Sequence, residues 1–167
     1  SQGETLWSGV VTAGDHVMIE MISYRFVNPK RGDLVVFRTD GITNLPGARL
    51  YMKRVAALPG ERVKIKPPYL MVNDKAVTEP LIFLEISSSA GEFHGYSLAT
   101  ESRHMVPVLA SPNDEVRLGE DEYFVLGDNT RCSLDSRYWG PVPRKNIIGK
   151  ATRVYWPFTR INALEER

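Results

Sequence analysis

Two stretches of this chain carry side chains that could do chemistry together. The first is Tyr51-Met52-Lys53-Arg54-Val55, a lysine centred in an apolar run. On a β-strand Lys53 shares one face with Tyr51 and Val55, while Arg54 turns to the other with Met52. A lysine facing apolar surroundings is desolvated, which disfavours its ammonium form. Lowering an amine from about 10.4 to near 7 costs roughly 4–5 kcal/mol. A protein keeps such a group where the neutral amine has a task, such as taking a proton. The alternative is an edge lysine whose stem covers apolar surface while its ammonium reaches water.

The second stretch is Gly127-Asp128-Asn129-Thr130-Arg131-Cys132-Ser133-Leu134-Asp135-Ser136-Arg137-Tyr138-Trp139-Gly140. It gathers short hydroxyl, carboxylate and guanidinium groups between two apolar runs. Such groups can fix backbone donors and aim a neighbouring catalytic residue. They can equally well form a turn whose polar groups only cap one another.

The elements that would position these residues read as β. Short runs rich in Val, Ile, Tyr and Phe recur between Gly, Pro, Asn and Asp turns. Strands are predicted over 16–22, 33–38, 50–56, 61–65, 69–72, 75–78, 122–126 and 147–156. Asn73-Asp74 suits a tight hairpin turn. Between about Ile82 and Asp114 the periodicity fades into loops and short irregular strands, and Arg144-Lys145-Asn146 reads as a short helical turn. The fold class is mainly β, with partly closed sheets and functional loops.

Composition narrows the function classes. The 167 residues suit one domain with room for a smaller lobe, and a formal net charge of +1 supplies no field for nucleic acid. Cys132 is the single cysteine, which excludes an intrachain disulfide and argues against a thiolate metal site. No cofactor and no metal are expected. No run approaches the ~18 apolar residues of a membrane-spanning helix, so any anchor is expected outside this chain. His16, His94 and His104 fall outside both stretches and are assigned to surface or turn positions.

Taken in order, the two stretches are similar to the boxes of bacterial type I signal peptidases. Lys53-Arg54-Val55-Ala56-Ala57-Leu58-Pro59-Gly60-Glu61 resembles that family's K-R-V-x-G-L-P-G-D/E box. Gly127-Asp128-Asn129 with Ser133-Leu134-Asp135-Ser136-Arg137 resembles its G-D-N-x-x-x-S-x-D-S-R box. Pro29 to Phe37, Tyr69 to Asn73 and Gly149 to Ala151 add weaker likenesses in the same order. The resemblance implies a signal-peptidase-like β-sheet catalytic core, about 1–65 and 123–167, with a smaller inserted β lobe over 66–122. It further implies a serine endopeptidase that removes signal peptides from secreted preproteins. Those substrates carry small residues at the first and third positions before the cut. The setting it implies is a membrane surface, on the extracytoplasmic face.

Residue by residue, the resemblance implies Lys53 as general base and Ser133 as the hydroxyl that orients its amine. Asp135 and Arg137 would brace the loop, and Asp128 would pair with Arg54. The nucleophile's box, S-M-x-P-T-L, is matched only in part. Ser1-Gln2-Gly3-Glu4-Thr5-Leu6 keeps Ser, Thr and Leu, with Gln2 and Glu4 where the family has Met and Pro. Ser1 is thus the tentative nucleophile, Ser8 with Thr12 is a rival frame, and a serine absent from this chain is the third reading. The mismatch predicts a loosely held Ser1 and an incomplete site. Two rival functions follow: a catalytically silent relative that binds preproteins or assists surface assembly, and a self-cleaving repressor-type domain. Trp7 and Tyr155-Trp156-Pro157-Phe158 are either core or headgroup-seeking aromatics, and Cys132 is a bystander.

Overall fold

A computed structural model describes residues 16–89, 91, 93–100, 105–156 and 162–163. Its strands form two antiparallel sheets. The larger contains β1 (His16–Glu20), β2 (Leu34–Arg38), β3 (Leu50–Ala57), β8 (Glu122–Leu126), β9 (Val142–Pro143), β10 (Ile147–Trp156) and β11 (Asn162–Ala163). The smaller contains β4 (Arg62–Lys66), β5 (Tyr69–Val72), β6 (Lys75–Ala76) and β7 (Val116–Arg117). The spatial orders are β1-β10-β2-β3-β8-β9, with β11 on β10, and β6-β5-β4-β7. This is the mainly β architecture that the turn-punctuated sequence implies.

Several boundaries differ from the sequence expectation for local reasons. The strand predicted to run to residue 22 stops at Glu20, whose carboxylate accepts from the backbone N–H groups of Ile22 and Ser23 at 2.5 and 2.9 Å. Those bonds turn the chain into a 3-10 turn over Ser23–Arg25. Asn73 and Asp74 both take positive φ, 49° and 64°, closing a two-residue hairpin between β5 and β6. Inside the stretch read as loop lies a short helix, α1 (Ile82–Ser87), which buries Ile82, Phe83 and Ile86. A second, α2 (Ser136–Trp139), ends the polar loop after β8. Residues 62–65 lie in β4, which among the described residues pairs with β5 and β7. The chain therefore leaves the larger sheet at Ala57 and returns at Glu122. No helix among the described residues is long and apolar enough to cross a membrane.

The pair β3–β8 joins two cores because side chains alternate across a strand. Val55, Tyr123 and Val125 pack with Val35, Phe37, Trp139 and Ile147 on one face. Ala56, Phe124 and Leu126 pack on the other, against Ile65 and Leu70 of the smaller sheet and Phe83 and Ile86 of α1. Complete burial of a side chain of this size is worth about 1.5–3 kcal/mol. The two clusters therefore clamp β3 and β8 from both sides, and the ends of these strands are fixed points on which a site can be built.

Candidate active site

Lys53 sits in β3, opposite Val35 of β2. Across the other edge, Arg54 faces Leu126 of β8, so the next step of that register brings Gly127 to Lys53. The loop that starts there folds back until Ser133 Oγ lies 3.1 Å from Lys53 Nζ. Gly127 makes the approach possible: a Cβ on it would stand 2.1 Å from Ser133 Oγ and 2.6 Å from Ser133 Cβ. Only a hydrogen fits between them.

Burial pushes the Lys53 amine below its ordinary value. The negative charges of Asp135 and Asp128 pull it back up, and Arg137 pushes it down again. Burial prevails, and the amine's side-chain hydrogen-bond partner is a neutral hydroxyl rather than a carboxylate. A hydroxyl can also accept from the amine or donate to it, so the contact survives loss of the proton.

Two ion pairs hold the loop, one largely and one fully buried. Arg54, on the opposite face of β3 from Lys53, grips Asp128 through two bonds of 2.8 and 2.7 Å and donates a third to Gly32 O at 2.7 Å. Burial works against the charge on Arg54, yet Asp128 more than offsets it and raises its pKa. Asp135, fully buried, caps α2 by accepting from Arg137 N, and also accepts from Gly127 N at 3.1 Å. The Arg137 guanidinium meets both of its oxygens, at 2.8 and 2.9 Å, and reaches Thr130 O and Ser133 O. Ser136 Oγ accepts from Val125 N at 3.0 Å and ties α2 to β8.

The structure thus gathers Lys53, Ser133, Arg54, Asp128, Asp135 and Arg137 around one loop. Ser1 and Ser8 lie outside the described residues, as do Trp7, Pro157, Phe158 and His104. His94 and the free thiol of Cys132 are exposed. Sequence reasoning did not single out four residues of this constellation. Gly127 and Ser136 stand inside the recognised box, where only their contacts reveal their work. Thr130 and Ser97, which accept from Arg137 through backbone oxygens, carry no sequence signal because any residue type offers a carbonyl.

Comparison with known proteins identifies the family. The profile of the family described as "Signal peptidase, peptidase S26" matches residues 8–156. A probable signal peptidase I-2 of a Synechocystis strain is 33% identical over 153 residues, covering 91% of this chain and 60% of that protein. Signal peptidase I V of Bacillus subtilis is 35% identical over 136 residues, 81% of this chain and 72% of its own length. A crystal structure of a signal peptidase I from Enterococcus faecalis superposes with a TM-score of 0.53 at 27% identity, over 75% of this chain and 98% of that one. The chain spans 60% and 64% of the lengths of its Synechocystis and Leptolyngbya laminosa relatives. With the matched span running from before β1 to the end of β10, the chain belongs to the signal peptidase family of S26 peptidases.

Proposed function

We propose that this chain is the catalytic part of a serine endopeptidase that removes signal peptides from secretory preproteins. The observation that carries the reading is the Lys53 amine, desolvated on an apolar strand face and 3.1 Å from Ser133 Oγ. A serine hydroxyl is a weak nucleophile until a base takes its proton. Lys53, whose charged form burial disfavours, is that base: it accepts the proton as the serine oxygen attacks the scissile carbonyl. The resulting ammonium then protonates the departing amine. Lys53 then takes a proton from water, whose oxygen attacks the acyl carbon; the ester bond to the serine breaks and the ammonium returns the proton to the serine oxygen.

Ser133 orients the amine rather than attacking. Its Oγ lies against the backbone of Gly127, 2.1 Å from where a Cβ would stand, and is engaged with the Lys53 amine at 3.1 Å. The attacking hydroxyl comes from residues outside those described, with Ser1 and Ser8 the candidates within this chain. Asp128, Asp135, Arg54 and Arg137 act structurally. The larger sheet serves as catalytic core and the four-stranded sheet with α1 as the inserted lobe. The enzyme works at the extracytoplasmic face of the membrane, on preproteins with small residues at the first and third positions before the cut.

The test uses a full-length form with a preprotein of the Ala-x-Ala type. Wild type cleaves it, Lys53→Ala does not, and a serine-directed acylating inhibitor labels one serine, located by mass spectrometry. Comparable cleavage by Lys53→Ala, or labelling at Ser133, contradicts the assignment.

A further inference from the structure

The loop that carries Ser133 is held by the insertion as well as by its own ion pairs. Thr130 is buried, and its hydroxyl donates to Gly95 O. Nη1 of Arg137 donates to Ser97 O at 2.8 Å and to Ser97 Oγ at 3.0 Å. Ser97 Oγ in turn donates to Thr130 O at 3.4 Å. Nη2 of the same guanidinium reaches Thr130 O at 2.7 Å, Asp135 Oδ2 at 2.9 Å and Ser133 O at 3.2 Å. One rigid, planar group therefore links Ser97 to the backbone of the residue whose hydroxyl meets Lys53.

The grip is anchored in the insertion's own core. Gly95 takes φ of +73°, and a Cβ there would stand 2.6 Å from Pro68 Cβ and 2.9 Å from Ser89 Oγ. Glycine is thus what lets this segment lie against Pro68 while offering its carbonyl to Thr130. Tyr96 N donates to Pro68 O at 2.9 Å, and its buried ring stacks on Phe83 of α1 with centroids 6.5 Å apart. The segment 95–97 is consequently fixed on one side to the smaller sheet and on the other to the polar loop.

We propose that Ser97 and Thr130 are positioning residues, and that the segment Gly95-Tyr96-Ser97 of the insertion sets the Ser133–Lys53 contact by clasping the loop from outside. This rests on the serine–lysine reading above. With the clasp released, the Arg137 fork loses fixed partners, Ser133 drifts, and water reaches the amine. The lysine then behaves as a more ordinary amine and is protonated at pH values where the enzyme should work. A loss of folded protein would lower activity at every pH alike; loss of positioning also moves the pH profile.

The experiment compares wild type, Ser97→Ala, Thr130→Val and the double variant in the full-length enzyme, with kcat, KM and melting temperature followed against pH. The double variant is expected to lose about tenfold or more in kcat near neutral pH, since a 1 Å misplacement can cost about 10². KM stays unchanged, and the rising limb of the profile moves to higher pH. Thr130→Ser, which keeps the hydroxyl, restores both. Val72→Ala in β5 lowers the melting temperature without moving the limb. A folded double variant with wild-type kcat and an unmoved limb overturns the proposal, as does an equal limb shift in Val72→Ala. If the double variant does not fold, Ser97→Ala at its half-buried position decides by the same two readouts. A wild-type enzyme that does not cleave overturns the serine–lysine reading instead. The clasp is then judged by NMR titration of the Lys53 amine in wild type and Ser97→Ala: an upward shift in the variant supports it, and identical titrations overturn it.

Discussion

Lys53 and Lys64 are both strand lysines, one in β3 of the larger sheet and one in β4 of the smaller. Each amine has a partner at nearly the same distance. Lys53 Nζ lies 3.1 Å from Ser133 Oγ, and Lys64 Nζ lies 3.1 Å from Asp74 and 3.0 Å from Glu115. Their pKa values nevertheless move in opposite directions. Hydrogen bonds from Glu115 and Asp74 raise Lys64, whereas burial lowers Lys53 against the pull of Asp135 and Asp128. Proximity to a polar atom therefore does not decide what a lysine can do. A carboxylate in water keeps the amine charged, and a neutral hydroxyl under an apolar sheet lets it lose the proton.

The largest expected contrast is catalytic. Lys53→Ala should remove the general base and lower kcat/KM by about 10³, within the 10²–10⁴ that such a base contributes. Lys64→Ala should leave kcat/KM near wild type, because its charge is satisfied far from the loop. Gly127→Ala comes next. Its Cβ would displace Ser133, and a shift of about 1 Å is expected to lower kcat by up to about 10² with little change in melting temperature.

The third contrast is in stability. Asp128→Ala strands the buried Arg54 charge and should cost about 3–5 kcal/mol in denaturant unfolding. Asp74→Ala, which opens an exposed pair with Arg62 and Lys64, should leave the midpoint almost unmoved. The smallest effect has an instructive sign. Lys53 has a folded pKa below the ordinary 10.5, so the unfolded chain binds more protons between the two values and stability rises with pH there. Below the folded pKa the charged amine subtracts from stability in full. Lys53→Met should raise the melting temperature most at low pH, and the gain should shrink as pH approaches 10.5. Lys64, raised above that value, contributes a stability present below it and lost as pH rises through the folded pKa. Lys64→Met should therefore lower the melting temperature slightly at neutral pH.

Sequence reading reached the strands because their signals are local. Asn73-Asp74 sits between two apolar runs, and Glu122 to Leu126 is bounded by turn residues, so periodicity and punctuation coincide. It missed α1, where six residues complete too few turns to show a 3.6-residue period and Leu81 offers no side-chain cap. It carried β1 two residues too far because Met21 and Ile22 continue the apolar run, whereas the turn is made by the Glu20 carboxylate accepting from Ile22 N and Ser23 N, which periodicity does not register. Of the site, the types and order of Lys53, Arg54, Asp128, Ser133, Asp135 and Arg137 were legible as boxes. The distances between the boxes were not, since β3 and β8 meet only through the register of the folded sheet. Least legible was the clasp, in which Gly95 offers a carbonyl that every residue possesses and the Ser97 and Thr130 hydroxyls find their partners only in the folded chain.

The most direct test of the account is the titration of the two lysines within one sample. Uniformly labelled protein allows the Cε and Nζ shifts of Lys53 and Lys64 to be followed by NMR as pH rises, with Lys53→Met and Lys64→Met identifying the signals. The account predicts that Lys53 loses its proton well before Lys64 and before ordinary surface lysines, and that Ser133→Ala alters its midpoint. Titration of Lys53 together with or after Lys64 would contradict it, because an amine that stays charged cannot serve as the base.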